Sequence, residues 1–512
     1  MTINRRNLLK WMGSAYPALA LSRFASAQTP SQAGKFEGTR QSLQAYRTPE
    51  WFRNAKFGIW SHWGPQSAVE DGDWYARNMY MQGSDQYKYH IATYGHPSKV
   101  GYKDLVGNWK AAKWDPDHLM SLYKKAGAKY FVSMGVHHDN FDLWDSKHTR
   151  WNAVNMGPKR DVVGTWQKAA HKQGLRFGVS EHLWISYKWF AVSHAADKTG
   201  PLAGVSYDGV DPKLADLYHD ADCAKFAEKL TWNDDGIPDS WRSHYLDRMT
   251  DLIDKYHPDL LYTDGHLPFE EYGLKMVAHL YNVSAQAHGG QTEAVYNSKE
   301  QSDCAIGTCV LDHERGVSDG ISASPWQTDT CIGEWHYKRG AQYKTPKKVI
   351  DLLVDIVSKN GNLLLNFPLP NSGELDSQEM KVLDGITAWM AVNSEGIYDS
   401  RPWKIYGEGP ATKVKIVAGN FNEDKQKDLT AEDVRFTTKG RSIYAFVMGS
   451  PGTATVNALG MASPQNPGRI GRVELLGHGG ELKWKQDGDA LKVELPAQKP
   501  SDIGVTLKVD LA

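Results

Sequence analysis

Six short apolar runs in this 512-residue chain are each followed by a histidine, a carboxylate or a lysine. His62 follows Phe57-Gly58-Ile59-Trp60-Ser61, His137-His138-Asp139 follow the run at 130–134, and Glu181-His182 follow the run at 175–179. Asp264 ends Leu260-Leu261-Tyr262-Thr263, Asn297 and Lys299 end the run from 294, and Glu314 ends Val310-Leu311-Asp312-His313. Taken singly, such a residue is more often a satisfied structural group than a catalyst; agreement at six run ends reverses that expectation. Hydrolysis of a glycosidic bond needs two carboxyl groups beside the anomeric carbon, one to attack or activate water and one to protonate the leaving oxygen. Asp264 and Glu314 have the positions for that pair.

The aromatic content fits a sugar. Of 19 Trp, six (Trp60, Trp63, Trp74, Trp144, Trp151 and Trp184) stand close to these run ends, where flat rings can stack on a pyranose or simply fill the core. Clustered histidines could instead hold Zn²⁺. Adjacent His137 and His138, however, are expected to point to opposite faces of a strand, and no H-x-H or H-E-x-x-H spacing lies near them, so no metal is expected. The four cysteines, Cys223, Cys304, Cys309 and Cys331, form no C-x-x-C pair; one disulfide or buried free thiols would both suit them.

The elements that must position these residues alternate strand with amphipathic helix, the pattern of parallel β/α units. The clearest unit starts at Asp239: Trp241, Tyr245, Met249, Leu252, Ile253 and Tyr256 recur at helical spacing, His257-Pro258 stops the helix, and the buried run to Asp264 follows. Helices over 116–126 and 162–173, closed by Gly127 and Gly174, precede the second and third strands. Further strands over 294–297, 310–313, 328–332 and 362–366 bring the number to about the eight of a (β/α)8 barrel, whose active site lies at the strands' carboxyl ends. The spacing predicts a barrel over residues 28–400 and, beyond a segment rich in Gly, Pro and Ser, a C-terminal β-sandwich over 401–512.

Residues 1–27 read as a twin-arginine signal peptide, from Arg5-Arg6 through an apolar stretch to Ala25-Ser26-Ala27, which places the mature protein in the periplasm or outside the cell. No later stretch is long and apolar enough to span a membrane. A formal charge of -1 gives no reason to expect nucleic acid as a partner.

Several ordered motifs resemble the α-L-fucosidases of glycoside hydrolase family 29. They are Lys56-Phe57-Gly58-Ile59-Trp60-Ser61-His62-Trp63-Gly64, Asp73-Trp74-Tyr75-Ala76-Arg77-Asn78-Met79-Tyr80, His137-His138-Asp139-Asn140-Phe141, Gly157-Pro158-Lys159-Arg160-Asp161, Pro258-Asp259-Leu260-Leu261-Tyr262-Thr263-Asp264-Gly265 and Gly361-Asn362-Leu363-Leu364-Leu365-Asn366. The resemblance runs over roughly residues 36–402. It implies exo-acting, retaining hydrolysis of a fucosylated glycan without a cofactor, with Asp264 as nucleophile. It places the general acid/base on a loop well downstream, where Glu314 is the choice and Glu334 the reserve; Glu270 and Glu271 stand too close to Asp264 in sequence. It further implies that His62, His137 and Trp74 line the fucose pocket, with His138 behind them. Asp73 stands where the family usually has glutamate, Ser180-Glu181-His182 stand where many members have a tyrosine pair, and Lys299 takes the place of an arginine. Tyr262 and Trp335 complete the substrate-binding candidates, and the segments 188–232 and 266–291 are expected to meet the leaving group. A catalytically silent glycan-binding member of the same fold is the alternative.

Overall fold

Helix ends and strand starts follow one another as the sequence pattern predicts. Asp115 caps the helix Pro116–Lys125 by accepting from the His118 amide, and Gly127 at φ +104° ends it before β2, Tyr130–Val136. Asp161 caps Val162–Lys172 in the same way, and Gly174 at φ +69° precedes β3, Arg176–Glu181. The helix Asp239–Tyr256 buries Trp241, Tyr245, Met249, Leu252, Ile253 and Tyr256, the face its spacing predicts, and His257 ends it at φ +42° before β4, Leu260–Thr263.

The computed structural model describes residues 36–305 and 307–512. The signal-peptide reading of residues 1–27 falls outside them. Together with β1, Phe57–Ser61, and with β5 to β8, Val295–Ser298, Val310–Glu314, Trp326–Cys331 and Gly361–Asn366, these strands close an eight-stranded parallel barrel in sequence order, β8 pairing with β1. Most strand residues are buried on both faces, as expected where helices cover the outside and side chains fill the middle. Trp60, Tyr130, Val132, Leu260, Tyr262, Val295, Val310 and Leu364 fill the interior, and the helix Glu50–Ala55 closes its amino-terminal end with Phe52 and Ala55.

Beyond the helix Ser377–Asn393 the chain changes to two antiparallel sheets. β9 (Arg401–Glu408), β10 (Val434–Lys439), β11 (Ser442–Val447), β13 (Ile470–Leu475) and β16 (Val505–Leu511) form a five-stranded sheet; β12 (Thr453–Val456), β14 (Trp484–Gln486) and β15 (Leu491–Glu494) form a three-stranded one. Their facing apolar residues make a separate core. This module is anchored to the barrel by a buried ion triad in which Asp355 of the helix Pro346–Ser358 pairs with Lys359 at 2.8 Å and with Arg435 of β10 at 2.6 Å. Cys304 and Cys309 form a disulfide, and Cys223 and Cys331 are buried free thiols, so both sequence alternatives occur in one chain.

Candidate active site

Asp264 is placed by its backbone before its side chain does anything. Its amide donates to Glu181 O at 3.0 Å, continuing the β3–β4 ladder, and its carbonyl accepts from Trp184 Nε1 at 2.7 Å. Gly265 follows at φ +141°, where a Cβ would lie 2.8 Å from the Trp184 ring, so only glycine lets the chain turn here under that indole. Three side chains reach the carboxylate: His182 Nδ1 donates to Oδ2 at 2.9 Å, His138 Nε2 lies 3.5 Å from the same oxygen, and the Lys299 ammonium donates to Oδ1. The same Lys299 ammonium donates to Glu314 Oε2 at 2.6 Å.

One ammonium thus serves two carboxyl groups, and they respond in opposite directions. Burial opposes ionisation of Asp264, but Lys299 and His182 outweigh it and hold the carboxyl well below the usual carboxylate range. Burial pushes Glu314 up to about 7, with the Asp264 and Asp329 charges adding to the rise and Lys299 opposing it. Beneath them, burial and Asp329 push Asp312 well above its ordinary range, while Tyr262 donates to Asp329 Oδ2 at 3.1 Å. The two groups are pushed apart: Asp264 stays ionised across the neutral range, while Glu314 titrates near neutrality and keeps its proton below it.

Around this pair a cavity of about 530 Å³ opens, walled by Trp60, His62, Asp73, Trp74, His137, His138, His182 and Trp335. Burial pushes His62 and His137 well below the ordinary histidine range, so both are neutral. The tautomer of His137 follows from its neighbours. The Ala76 amide donates to Gln66 Oε1 at 3.3 Å, which turns the Gln66 NH2 toward His137 Nδ1 at 2.8 Å; His137 therefore accepts there and carries its proton on Nε2. Asp73 accepts from His336 Nδ1 at 2.5 Å and lies 3.9 Å from His137 Nε2.

Several sequence expectations change. Glu181 does not reach the cavity: it is buried against the helix layer, accepting from Tyr245 at 2.8 Å and from the Leu183 amide at 2.9 Å, because successive strand residues face opposite ways and His182 takes the inward direction. His138 stands in the cavity wall rather than behind it. His137 and His138 do not diverge, because β2 ends at Val136 and the chain bends; their rings lie 4.5 Å apart, and with His182 they bring three ligand-type nitrogens within 4.8 Å of one another. Their convergence removes the geometric argument made against a shared ion. Glu334 is exposed and outside the cavity, and Glu270 pairs with Arg40 at 2.9 Å. Trp63, Trp144 and Trp151 belong to the core; Trp184 supports the Asp264 turn, while Trp60 and Trp74 line the cavity. Segment 266–291, expected to meet the leaving group, is largely the helix Glu271–Ala287. Tyr262 lies under the floor.

The sequence reading missed Asp329, His336, Asn420 and Phe421, and it reached Trp232 only as the last residue of the segment 188–232, without singling it out. Asp329 had a signal, a carboxylate inside a β-run; Asn420 and Phe421 had none, because they arrive from the segment after β9.

Two carboxyl groups with oppositely shifted pKa values at the strand ends of a β/α barrel match what hydrolysis of a glycosidic bond requires, and fold and site fit a glycoside hydrolase. Comparison with known proteins makes the assignment narrower. Residues 23–395 match the family model "Alpha-L-fucosidase" and residues 426–510 the model "Alpha-L-fucosidase C-terminal domain". The chain belongs to the α-L-fucosidase family. Tissue α-L-fucosidase of Mus musculus is 26% identical over 485 residues, covering 92% of this chain and 93% of that one. Plasma α-L-fucosidase of Homo sapiens is 27% identical over 479 residues, covering 91% and 89%. The solved structure of Thermotoga maritima α-fucosidase in complex with fucose superposes with a TM-score of 0.68 at 24% identity, covering 92% of this chain and 99% of that one, a likeness of fold. Asn420 and Phe421 fall between the two matched stretches.

Proposed function

We propose that the protein is an exo-acting, retaining α-L-fucosidase that removes terminal α-L-fucose from glycans through a covalent fucosyl-enzyme. The shared Lys299 ammonium carries this reading. Two hydrogen bonds, neither longer than about 3 Å, to one nitrogen leave the nearest carboxyl oxygens no more than about 6 Å apart. That suits the ~5–5.5 Å separation of retaining enzymes better than the ~6.5–9.5 Å of inverting ones. Ionised Asp264 attacks the anomeric carbon while Glu314 passes its proton to the leaving oxygen. Glu314, now a carboxylate, takes a proton from water as that water attacks the same carbon and frees Asp264. Neutral His62 and His137 offer hydrogen bonds to sugar hydroxyls, His137 as an Nε2 donor, and Trp60 and Trp335 give the sugar an apolar wall. The Arg5-Arg6 segment and Ala25-Ser26-Ala27 support export to the periplasm or beyond as the setting.

The test is proton NMR of an aryl α-L-fucoside during turnover, with Asp264→Ala as control. The α anomer of fucose should appear first, before mutarotation, and kcat should fall on the order of 10⁴-fold in the variant. First appearance of the β anomer would rule out retention.

A further inference from the structure

Among the described residues Trp232 is the only exposed tryptophan and Phe421 the only exposed phenylalanine, at 50% and 63% exposure, and both border the cavity that holds Asp264 and Glu314. They come from distant parts of the chain, Trp232 from the long segment after β3 and Phe421 from the segment after β9. A single exposed aromatic ring needs no explanation, but two bordering one cavity is a different matter from two scattered over a surface.

Each is held in place. The Trp232 ring lies 5.8 Å from Trp74, 5.7 Å from His138 and 6.1 Å from Trp184, so it extends outward the aromatic wall that begins inside the cavity. Phe421 has φ +53°, the left-handed region that a bulky residue rarely adopts. It is kept there by its amide, which donates to Glu314 O at 2.7 Å, while Asn420 Oδ1 accepts from the Glu314 amide at 3.0 Å. Strain retained at a site rim is the pattern expected where a side chain is being presented to a ligand. The same cavity lining includes Glu300 and Asn420, which can meet hydroxyl groups.

We infer that Trp232 and Phe421 form the subsite for the leaving group, and that this subsite takes a pyranose ring by stacking on its apolar face. The inference rests on the fucosidase reading above and specifies what that enzyme prefers to cleave: fucose linked to another sugar ring rather than to a small or purely polar group. A flat ring leaving from the anomeric carbon must pass Glu314, and Phe421 is bonded to the backbone of that very residue, so the ring that stacks is also the ring whose oxygen is protonated.

The experiment compares Trp232→Ala and Phe421→Ala with the wild type on α-L-fucosyl fluoride, which has no leaving ring, and on a disaccharide of α-L-fucose on galactose. The ratio of kcat/KM for the disaccharide to that for the fluoride should fall about tenfold in each variant. Phe421→Trp should restore it. An unchanged ratio, including a proportional loss on both substrates, would overturn the subsite while leaving the fucosidase reading intact. A wild-type enzyme that cleaves neither substrate would overturn that reading instead.

Discussion

The amide of Phe421 donates to the carbonyl of Glu314 across 2.7 Å, so the segment that follows β9 fixes the backbone of a residue at the end of a barrel strand. Asn420 Oδ1 takes the Glu314 amide, and Asn422 and Glu423 continue the contact to Arg315. On the β5 side the ladder of β6 ends at Leu311, while β7 still pairs with Glu314 through Asp329, so these bonds hold the edge that β5 has left. Asn420→Ala should therefore lower kcat about twofold to thirteenfold, the scale of one hydrogen bond at roughly 0.5–1.5 kcal/mol. Steady-state assays with a series of aryl fucosides check this: the loss should grow as the leaving phenol becomes more basic, since poorer leaving groups need the acid more.

The opposite shifts of Asp264 and Glu314 set the pH dependence. In the proposed mechanism Glu314 must be protonated to act as acid, so kcat/KM should be present below about 7 and lost as pH rises through that value. Asp264, as the proposed nucleophile, must be ionised, and because its carboxyl is held well below the usual range, the acid limb should fall only in strongly acidic solution. Glu314→Gln should abolish the alkaline limb and reduce kcat on a disaccharide by roughly 10²–10⁴-fold, with a smaller loss on a fluoride that leaves unaided. A profile with its alkaline limb intact in this variant would assign the acid elsewhere.

Lys299 holds both carboxyl groups down, Asp264 below its normal range and Glu314 lower than burial alone would leave it. Replacing it by Gln should move both limbs of the kcat/KM profile to higher pH and cost on the order of 10–10²-fold at the optimum. Lys299→Arg keeps the charge and should leave the limbs near their original positions. Profiles measured side by side distinguish an electrostatic role from a purely steric one.

Arg248 is fully buried, bonded to both oxygens of Asp142 and to Asn140 Oδ1, and so ties the segment after β2 to the helix Asp239–Tyr256. Removing one partner of a buried pair strands the other. Arg248→Met should destabilise the fold by about 3–5 kcal/mol, read as a lower Tm by calorimetry, with loss of activity following unfolding rather than preceding it.

Much of this protein is determined by its sequence alone. Helix spacing from Trp241 to Tyr256 and the apolar run ending at Asp264 define a β/α unit, and repetition of that unit defines the barrel, because local periodicity reports which face is buried. The positions of His62, His137, His182, Asp264, Lys299 and Glu314 after strands were legible for the same reason. What periodicity does not carry is direction at a strand's end, where pairing stops and the chain bends. Glu181 and His182 could not be told apart as outward and inward, and His137 with His138 converge only because β2 stops one residue earlier. Long-range placement is equally absent from local pattern. His336 behind Asp73, Trp232 on the rim, and Phe421 arriving from the segment after β9 to hold Glu314 are contacts between residues tens to hundreds apart in sequence, and only tertiary packing decides them.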